Sequence, residues 1–77
     1  EQGHANAQFY LGFMYDTGAG VPEDDVLAYM WYNLAGALGI VGAQENKDRI
    51  EQQMTREQIA EGQRLSTEWL GSPTCFR

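Results

Sequence analysis

Chemically reactive residues are scarce in this chain. It has one cysteine, Cys75, and one histidine, His4, among 77 residues. One cysteine excludes an intramolecular disulfide and leaves the redox compartment open, and Cys75 has no neighbouring base to activate its thiolate. One histidine excludes a metal site with a histidine pair and a Ser–His–Asp triad with a second base. We interpret His4 as a surface or capping residue and predict no catalytic residue, so the chain is not expected to be an enzyme.

Positive charge is scarce as well. The net charge is −6, and the basic residues are scattered along the chain: Lys47, Arg49, Arg56, Arg64 and Arg77. Nucleic-acid binding needs clustered lysine and arginine, so a nucleic-acid surface is excluded. The sequence also lacks a signal peptide and an apolar run of 18 residues. Membrane insertion is therefore not expected, and the localisation is left open.

Two short motifs resemble ligand sites but have simpler explanations. Glu23, Asp24 and Asp25 form an acidic cluster whose spacing is not that of a calcium loop. A helix N-terminus explains this cluster, because carboxylates there cap backbone N–H groups and meet the positive end of the helix dipole. Gly18 and Gly20 precede acidic residues and lack the lysine of a phosphate loop. We predict neither a metal nor a cofactor.

Helical periodicity, in contrast, is strong in the first half of the chain. A first helix is predicted over residues 5–17, with apolar residues at i, i+4, i+7 and i+8: Ala7, Leu11, Met14 and Tyr15. Gly12 lies beside this stripe, where the missing side chain lets a partner helix approach closely. Gly18 suits the left-handed conformation that ends a helix, and Gly20 adds a second flexible joint.

A second helix is predicted over residues 25–38. One of its faces carries Ala28, Trp31, Tyr32, Ala35 and Leu38. Small alanines alternate there with large aromatic residues, which favours an antiparallel pair with the first helix. Asp24 or Asp25 is expected to cap its start, and Gly39 to end it.

The second half of the chain predicts two more helices with weaker patterns. The third, over residues 42–53, has a narrow stripe and a favourable i, i+4 pair formed by Glu45 and Arg49. The stripe comprises Ala43, Lys47, Ile50 and Met54. Thr55 and Gln58 form a capping box before a fourth helix over residues 56–70.

The fourth helix presents one buried face in this prediction, comprising Ile59, Gly62, Ser66, Trp69 and Leu70. We expect both Trp31 and Trp69 to be core residues. Residues 71–77 are expected to be a frayed tail.

The first two helices carry a recurring motif. It reads Ala7-x3-Leu11-Gly12-x2-Tyr15-x2-Gly18-x-Gly20-Val21-Pro22-x-Asp24, then Ala28-x2-Trp31-Tyr32-x2-Ala35-x3-Gly39. This motif resembles the Sel1-like repeat, a relative of the tetratricopeptide repeat, although Gly36 stands where that family usually has alanine. The resemblance implies an all-α fold, a right-handed α-solenoid of antiparallel helical hairpins with about four helices.

The same resemblance predicts the domain organisation. Residues 1–77 form a single domain, in which residues 3–39 are one well-formed repeat and residues 40–70 a degenerate terminal repeat or cap. Because the chain enters the repeat almost at once, we expect it to be a piece of a longer repeat protein.

The resemblance implies a protein–protein interaction scaffold or adaptor, with a partner of unknown identity. Sel1-like proteins engage partners in signalling, envelope and host-contact settings. The resemblance is therefore compatible with a bacterial envelope or secreted location but does not assign one. Binding would use the concave surface lined by the first and third helices, with Phe9, Phe13 and Asp16 as partner-binding residues. Phe9, Tyr10 and Phe13 lie off the stripe that faces the second helix. The alternative is that these aromatics pack against upstream repeats or a second copy of the chain, or form the second contact face of a repeat helix.

Two other functions are considered. A purely structural C-terminal cap of a longer solenoid agrees with the degenerate third helix and the polar fourth helix. The remote alternative is β-lactam binding or hydrolysis, which is reported for cysteine-rich relatives of the family. Those relatives pair cysteines within each repeat, whereas this chain has one cysteine.

Overall fold

The computed structural model describes residues 2–71, and side chains from residue 4 to residue 69. Over this range the chain forms four helices and no strand: α1 (Gln2–Thr17), α2 (Asp25–Ala37), α3 (Val41–Glu51) and α4 (Arg56–Gly71). The predicted all-α helical repeat architecture is confirmed, with helix ends that shift by up to three residues. The predicted frayed tail lies outside the described residues apart from Gly71, the last residue of α4.

The loop between α1 and α2 has the predicted turn chemistry. Gly18 and Gly20 adopt positive φ angles of 76° and 82°, a conformation that side chains disfavour. The Gly18 N–H donates to the carbonyl of Met14 (2.7 Å), which closes the last turn of α1. Asp24 caps α2, because its carboxylate accepts a hydrogen bond from the Leu27 N–H at 3.1 Å. These contacts fix an antiparallel helical hairpin.

The end of α2 and the start of α4 also have the turn and cap that the sequence predicts. Gly39 has a φ of 99°, and the Ile40 N–H donates to the Ala35 carbonyl at 3.1 Å, so the chain leaves α2 in a tight turn. At the start of α4 the predicted capping box is confirmed. The Thr55 N–H donates to Gln58 Oε1 (2.8 Å), and the Gln58 N–H donates to Thr55 Oγ1 (3.1 Å).

Helix α2 is the centre of the fold. It packs against α1, α3 and α4, and its buried residues point in several directions: Ala28, Tyr29, Met30, Tyr32, Leu34 and Ala35. The predicted face contains Ala28, Tyr32 and Ala35 but not Tyr29 or Leu34. A helix that is covered on three sides has no single apolar face. A prediction based on one face therefore identifies only some of the buried residues of α2.

Two glycines allow the flanking helices to reach α2. A Cβ atom on Gly12 of α1 would lie 2.7 Å from Tyr32 Cδ1, and one on Gly62 of α4 would lie 2.6 Å from Tyr29 Cδ1. Both distances are far below van der Waals contact, and both tyrosine rings are fully buried. The close approach predicted for Gly12 is therefore confirmed, and Gly62 makes a second approach of the same kind.

The buried stripe of α1 is rotated from the predicted one. It comprises Ala5, Gln8, Gly12 and Asp16. Ala7 is exposed and Leu11, Met14 and Tyr15 are only partly buried. The predicted stripe is wrong for Ala7, whereas Tyr15 packs against the core as expected. The line of closest approach to α2 runs through Gly12, so the polar residues one turn on either side are buried with it.

Two expectations about large apolar residues are also wrong. Leu38 follows the last residue of α2 and is 50% exposed, and Trp69 is 40% exposed near the end of α4. The rings of Trp69 and Trp31 meet edge to face at 5.5 Å between centroids, so the two tryptophans pack on each other. In contrast, Ala43, Ile50 and Met54 of the predicted α3 stripe are buried as expected.

Candidate interaction surface

Side-chain contacts join helices α1 and α3 at two places. Phe9 Cζ lies 3.5 Å from the position of a Cβ atom on Gly42, and the Arg49 guanidinium donates to Asp16 Oδ2 at 2.5 Å. Both contacts join residues 33 apart, in the same order along the two helices. The boundary between α1 and α3 is therefore in register from Phe9 and Gly42 to Asp16 and Arg49.

Phe13 lies at this boundary on the α1 side. It is four residues after Phe9 and three before Asp16, so the three residues share one side of the helix. On α3, Glu45 is three residues after Gly42 and four before Arg49. The offset of 33 pairs Phe13 with Asn46, so Glu45 is one residue, about 1.5 Å along the helix, from the level of Phe13.

The exposed residues along this boundary form a surface that we name the α1–α3 face. It comprises Tyr10, Phe13, Val41, Glu45, Asp48 and Arg49, all of which are exposed. The exposed fractions of the three apolar members are 62% for Tyr10, 45% for Phe13 and 75% for Val41. The face thus combines an apolar patch with two carboxylates and the guanidinium of Arg49, which is paired with the buried Asp16.

Phe9 belongs to the core rather than to this face. Its side chain is partly buried against the core, and its ring centroid lies 5.8 Å from that of Tyr32 at an interplanar angle of 46°. Of the three aromatics of α1, Tyr10 and Phe13 are exposed, whereas Phe9 packs towards α2 and α3, on a second contact face of the helix. A Cβ atom on Gly42 would make ordinary van der Waals contact with the Phe9 ring.

Asp16 is buried in a hydrogen-bond network that joins three helices. Its side chain is 7% exposed, and Oδ2 accepts hydrogen bonds from the Tyr32 hydroxyl (2.9 Å) and from Arg49. Burial, together with the bond to Asp16, raises the pKa of Tyr32, and the same carboxylate raises the pKa of Arg49. Arg49 thus reaches Asp16, where the sequence predicted a pair with Glu45. This buried network holds α1 and α3 together beneath the exposed residues of their boundary.

A second tyrosine network, which the sequence did not predict, lies on the other side of α2. The Tyr29 hydroxyl donates to Glu51 Oε2 (2.9 Å) and accepts from Gln63 Nε2 (3.3 Å). The Lys47 ammonium lies 5.7 Å from the centroid of the Tyr29 ring. Burial of the ring raises the pKa of Tyr29. Tyr29 therefore joins α2 to α3 and α4, and Tyr32 joins α2 to α1.

The raised pKa values of these two tyrosines predict that the fold loses stability at alkaline pH. Burial raises the pKa of Tyr29 and Tyr32 above the ordinary value of 10.0. Above that pH the unfolded chain releases phenol protons that the folded chain retains, so the free energy of unfolding should fall by up to about 1.4 kcal/mol per pH unit for each tyrosine. The stabilisation is complete below about pH 10 and is lost as the pH rises toward the folded-state values. Urea unfolding from about pH 8 to 11 measures this slope.

Tyr32→Phe provides the control for this measurement. The variant keeps the buried ring but removes one titrating hydroxyl, so its free energy of unfolding should fall less steeply, by about 1.4 kcal/mol per pH unit. Equal slopes for the variant and the parent chain would contradict the assignment of the alkaline transition to Tyr32.

Other candidate ligand residues do not form a site. Glu23, Asp24 and Asp25 line an open cavity of about 460 Å³ with Gln58. Over the side chains that the structure describes, no group of His, Cys, Asp or Glu is arranged to hold a metal ion. His4 is exposed and accepts a hydrogen bond from the buried Gln8 amide at 3.0 Å, and Cys75 lies outside the described residues. No helix in the described part of the chain is long and apolar enough to cross a membrane.

Comparison with known proteins identifies the hairpin. Residues 5–40 match the model of the Sel1 repeat family, and neither a curated protein nor a solved structure matches the chain significantly. The matched segment contains most of α1, the glycine loop, all of α2 and Gly39, which are the elements whose close packing depends on Gly12. Residues 5–40 of this chain are therefore a Sel1 repeat.

Proposed function

We propose that this chain is a protein–protein interaction module that contacts its partner through the α1–α3 face. Sel1 repeats generally mediate interactions between proteins. The observation that supports this surface is the exposure of Tyr10 and Phe13 together on one side of α1. Exposed aromatic residues contribute strongly to binding when a partner buries them, because they bury a large apolar area with few rotatable bonds.

The α1–α3 face is also held rigidly. The bond between Asp16 and Arg49 joins the two helices at one end of the boundary, and Phe9 packs beside Gly42 at the other. Phe13 lies between these two contacts along α1. A partner therefore meets a surface that needs little ordering on binding, which favours affinity.

A structural cap is the second candidate for the C-terminal part, and it is compatible with the first. We propose that residues 40–70 are a degenerate terminal repeat that covers one side of the Sel1 repeat. The outward residues of α4 are charged and exposed, and Arg64 forms ion pairs with Glu61 and Glu68. A polar outer helix that packs on α2 is what the end of a solenoid requires.

Peptide display tests the interaction surface. A library of random peptides is selected on the whole chain and then counter-selected on Phe13→Ala. We expect enriched peptides that bind the parent chain at least about tenfold more tightly than Phe13→Ala, because a central aromatic contact typically contributes more than 1 kcal/mol. Fluorescence anisotropy with synthetic copies of these peptides measures the ratio.

Trp69→Ala is the matched control, because it removes another exposed aromatic side chain away from the α1–α3 face. Peptides that depend on Phe13 should bind Trp69→Ala as tightly as the parent chain. If every enriched peptide bound Phe13→Ala and the parent chain equally well, the α1–α3 face would not be the binding surface.

A further inference from the structure

We propose that the α1–α3 face binds a segment that is both apolar and basic, with apolar side chains on Tyr10 and Phe13 and lysine or arginine beside Glu45 and Asp48. This proposal rests on the proposed function and specifies the chemistry of the partner.

The charges of the described residues support a basic partner. Two of the three described arginines are paired within the chain, Arg49 with Asp16 and Arg64 with two glutamates. The third, Arg56, is exposed at the start of α4, away from the α1–α3 face. Lys47 lies over the ring of Tyr29 on the other side of α3. Glu45 and Asp48 are exposed, and neither takes part in an ion pair within the described part of the chain.

The arrangement at the face places negative charge next to the aromatic patch. Glu45 is one residue from the level of Phe13 across the boundary, and Asp48 follows one turn later on α3. Arg49 belongs to the same face, and the buried Asp16 carboxylate neutralises it. The local potential is therefore negative, in agreement with the net charge of −6. A complementary partner carries positive charge around an apolar centre.

A second copy of the chain fits this face less well than a basic segment. In a twofold dimer the same patch meets itself, which brings the exposed carboxylates of both copies into one interface. Two chains of net charge −6 also repel each other at long range. The apolar patch alone would permit self-association, but Glu45 and Asp48 disfavour it.

Two designed peptides test the proposal. Both are amphipathic helices with the same aliphatic and aromatic face, flanked by lysine in one peptide and by glutamate in the other. Fluorescence anisotropy measures their binding to the whole chain at low and high salt. We expect the lysine peptide to bind more tightly by about tenfold or more at low salt, and this preference to shrink at high salt because exposed charges are screened.

Variants of the chain locate the effect. Glu45→Gln combined with Asp48→Asn should weaken binding of the lysine peptide by about three- to tenfold, the range for two exposed charge pairs. Glu23→Gln combined with Glu57→Gln removes the same charge at exposed carboxylates near the start of α4 and should leave binding unchanged. Equal loss in the two double variants, or no preference for lysine, would overturn the proposal.

The Phe13→Ala variant separates this proposal from the proposed function. If both peptides bind in a Phe13-dependent way with equal affinity, the face binds proteins but has no preference for basic partners. If the binding of neither peptide depends on Phe13, the assignment of the interaction surface is wrong, and this proposal is wrong as well. Concentration-dependent dimerisation of the parent chain that Phe13→Ala abolishes would assign the face to self-association and would also overturn a basic partner.

Discussion

Gly12→Ala is expected to lower the free energy of unfolding by about 1–3 kcal/mol, the usual cost of overpacking a well-packed core. Alanine is the better helix former by about 1 kcal/mol, so propensity alone predicts the opposite sign. Steric conflict decides the outcome, because the new methyl group would lie 2.7 Å from Tyr32 Cδ1 and 2.9 Å from Cε1. The Tyr32 ring cannot move aside, since it is fully buried and its hydroxyl is hydrogen-bonded to Asp16.

Gly36→Ala is the matched control for this experiment. Gly36 is also helical, but an added Cβ there would approach only Gln44 Oε1 at 3.3 Å, the end of a flexible and exposed side chain. Here helix propensity should dominate and raise the free energy of unfolding by up to about 1 kcal/mol. Urea unfolding followed by circular dichroism compares the two variants. If Gly12→Ala were as stable as Gly36→Ala, the close approach of α1 to α2 would not limit the packing.

Gly62→Ala repeats the test on the other side of α2. The added methyl group would lie 2.6 Å from Tyr29 Cδ1, and Tyr29 is fully buried as well. We expect a loss of similar size to that of Gly12→Ala. Equal losses would show that α1 and α4 are packed on α2 by the same device, a glycine against a tyrosine ring.

The hairpin of the Sel1 repeat was the part most accessible to sequence reasoning. Gly12, Gly18 and Asp24 act through their immediate neighbours or through one partner helix. The roles of Gly12 and Gly18 were predicted correctly, and Asp24 was one of two candidate caps. Tyr29 was missed because its role depends on α4, which begins 27 residues later and contacts α2 through Gly62. Local patterns identify caps and turns, whereas the faces of a central helix depend on every helix that covers it.

The candidate interaction surface was predicted only in part for a similar reason. Phe13 is exposed as expected, whereas Phe9 is in the core and Asp16 is buried. All three lie on the side of α1 that borders α3, where rotations of a few tens of degrees separate a buried residue from an exposed one. That difference depends on how α1 packs beside α3, where Arg49 binds Asp16. No spacing within α1 carries this information.

Asp16→Ala is expected to destabilise the chain by about 2–3 kcal/mol. The change leaves the buried Tyr32 hydroxyl proton without its acceptor, which typically costs about 1–3 kcal/mol. The loss of the partner of Arg49 adds less, because that side chain is 54% exposed and water can solvate it. Asp16→Asn should cost less than alanine, since an amide oxygen can still accept from the hydroxyl.

A double-mutant cycle with Tyr32→Phe separates these two contributions. In the Tyr32→Phe background no hydroxyl is left unpaired, so Asp16→Ala should cost at least about 1 kcal/mol less than in the parent chain. Urea unfolding of the four chains gives the coupling energy. Equal costs in both backgrounds would mean that the hydrogen bond between Tyr32 and Asp16 does not stabilise the fold. Because Asp16 and Arg49 also hold α1 against α3, Asp16→Ala should weaken peptide binding at the α1–α3 face, although Asp16 itself is buried beneath that face.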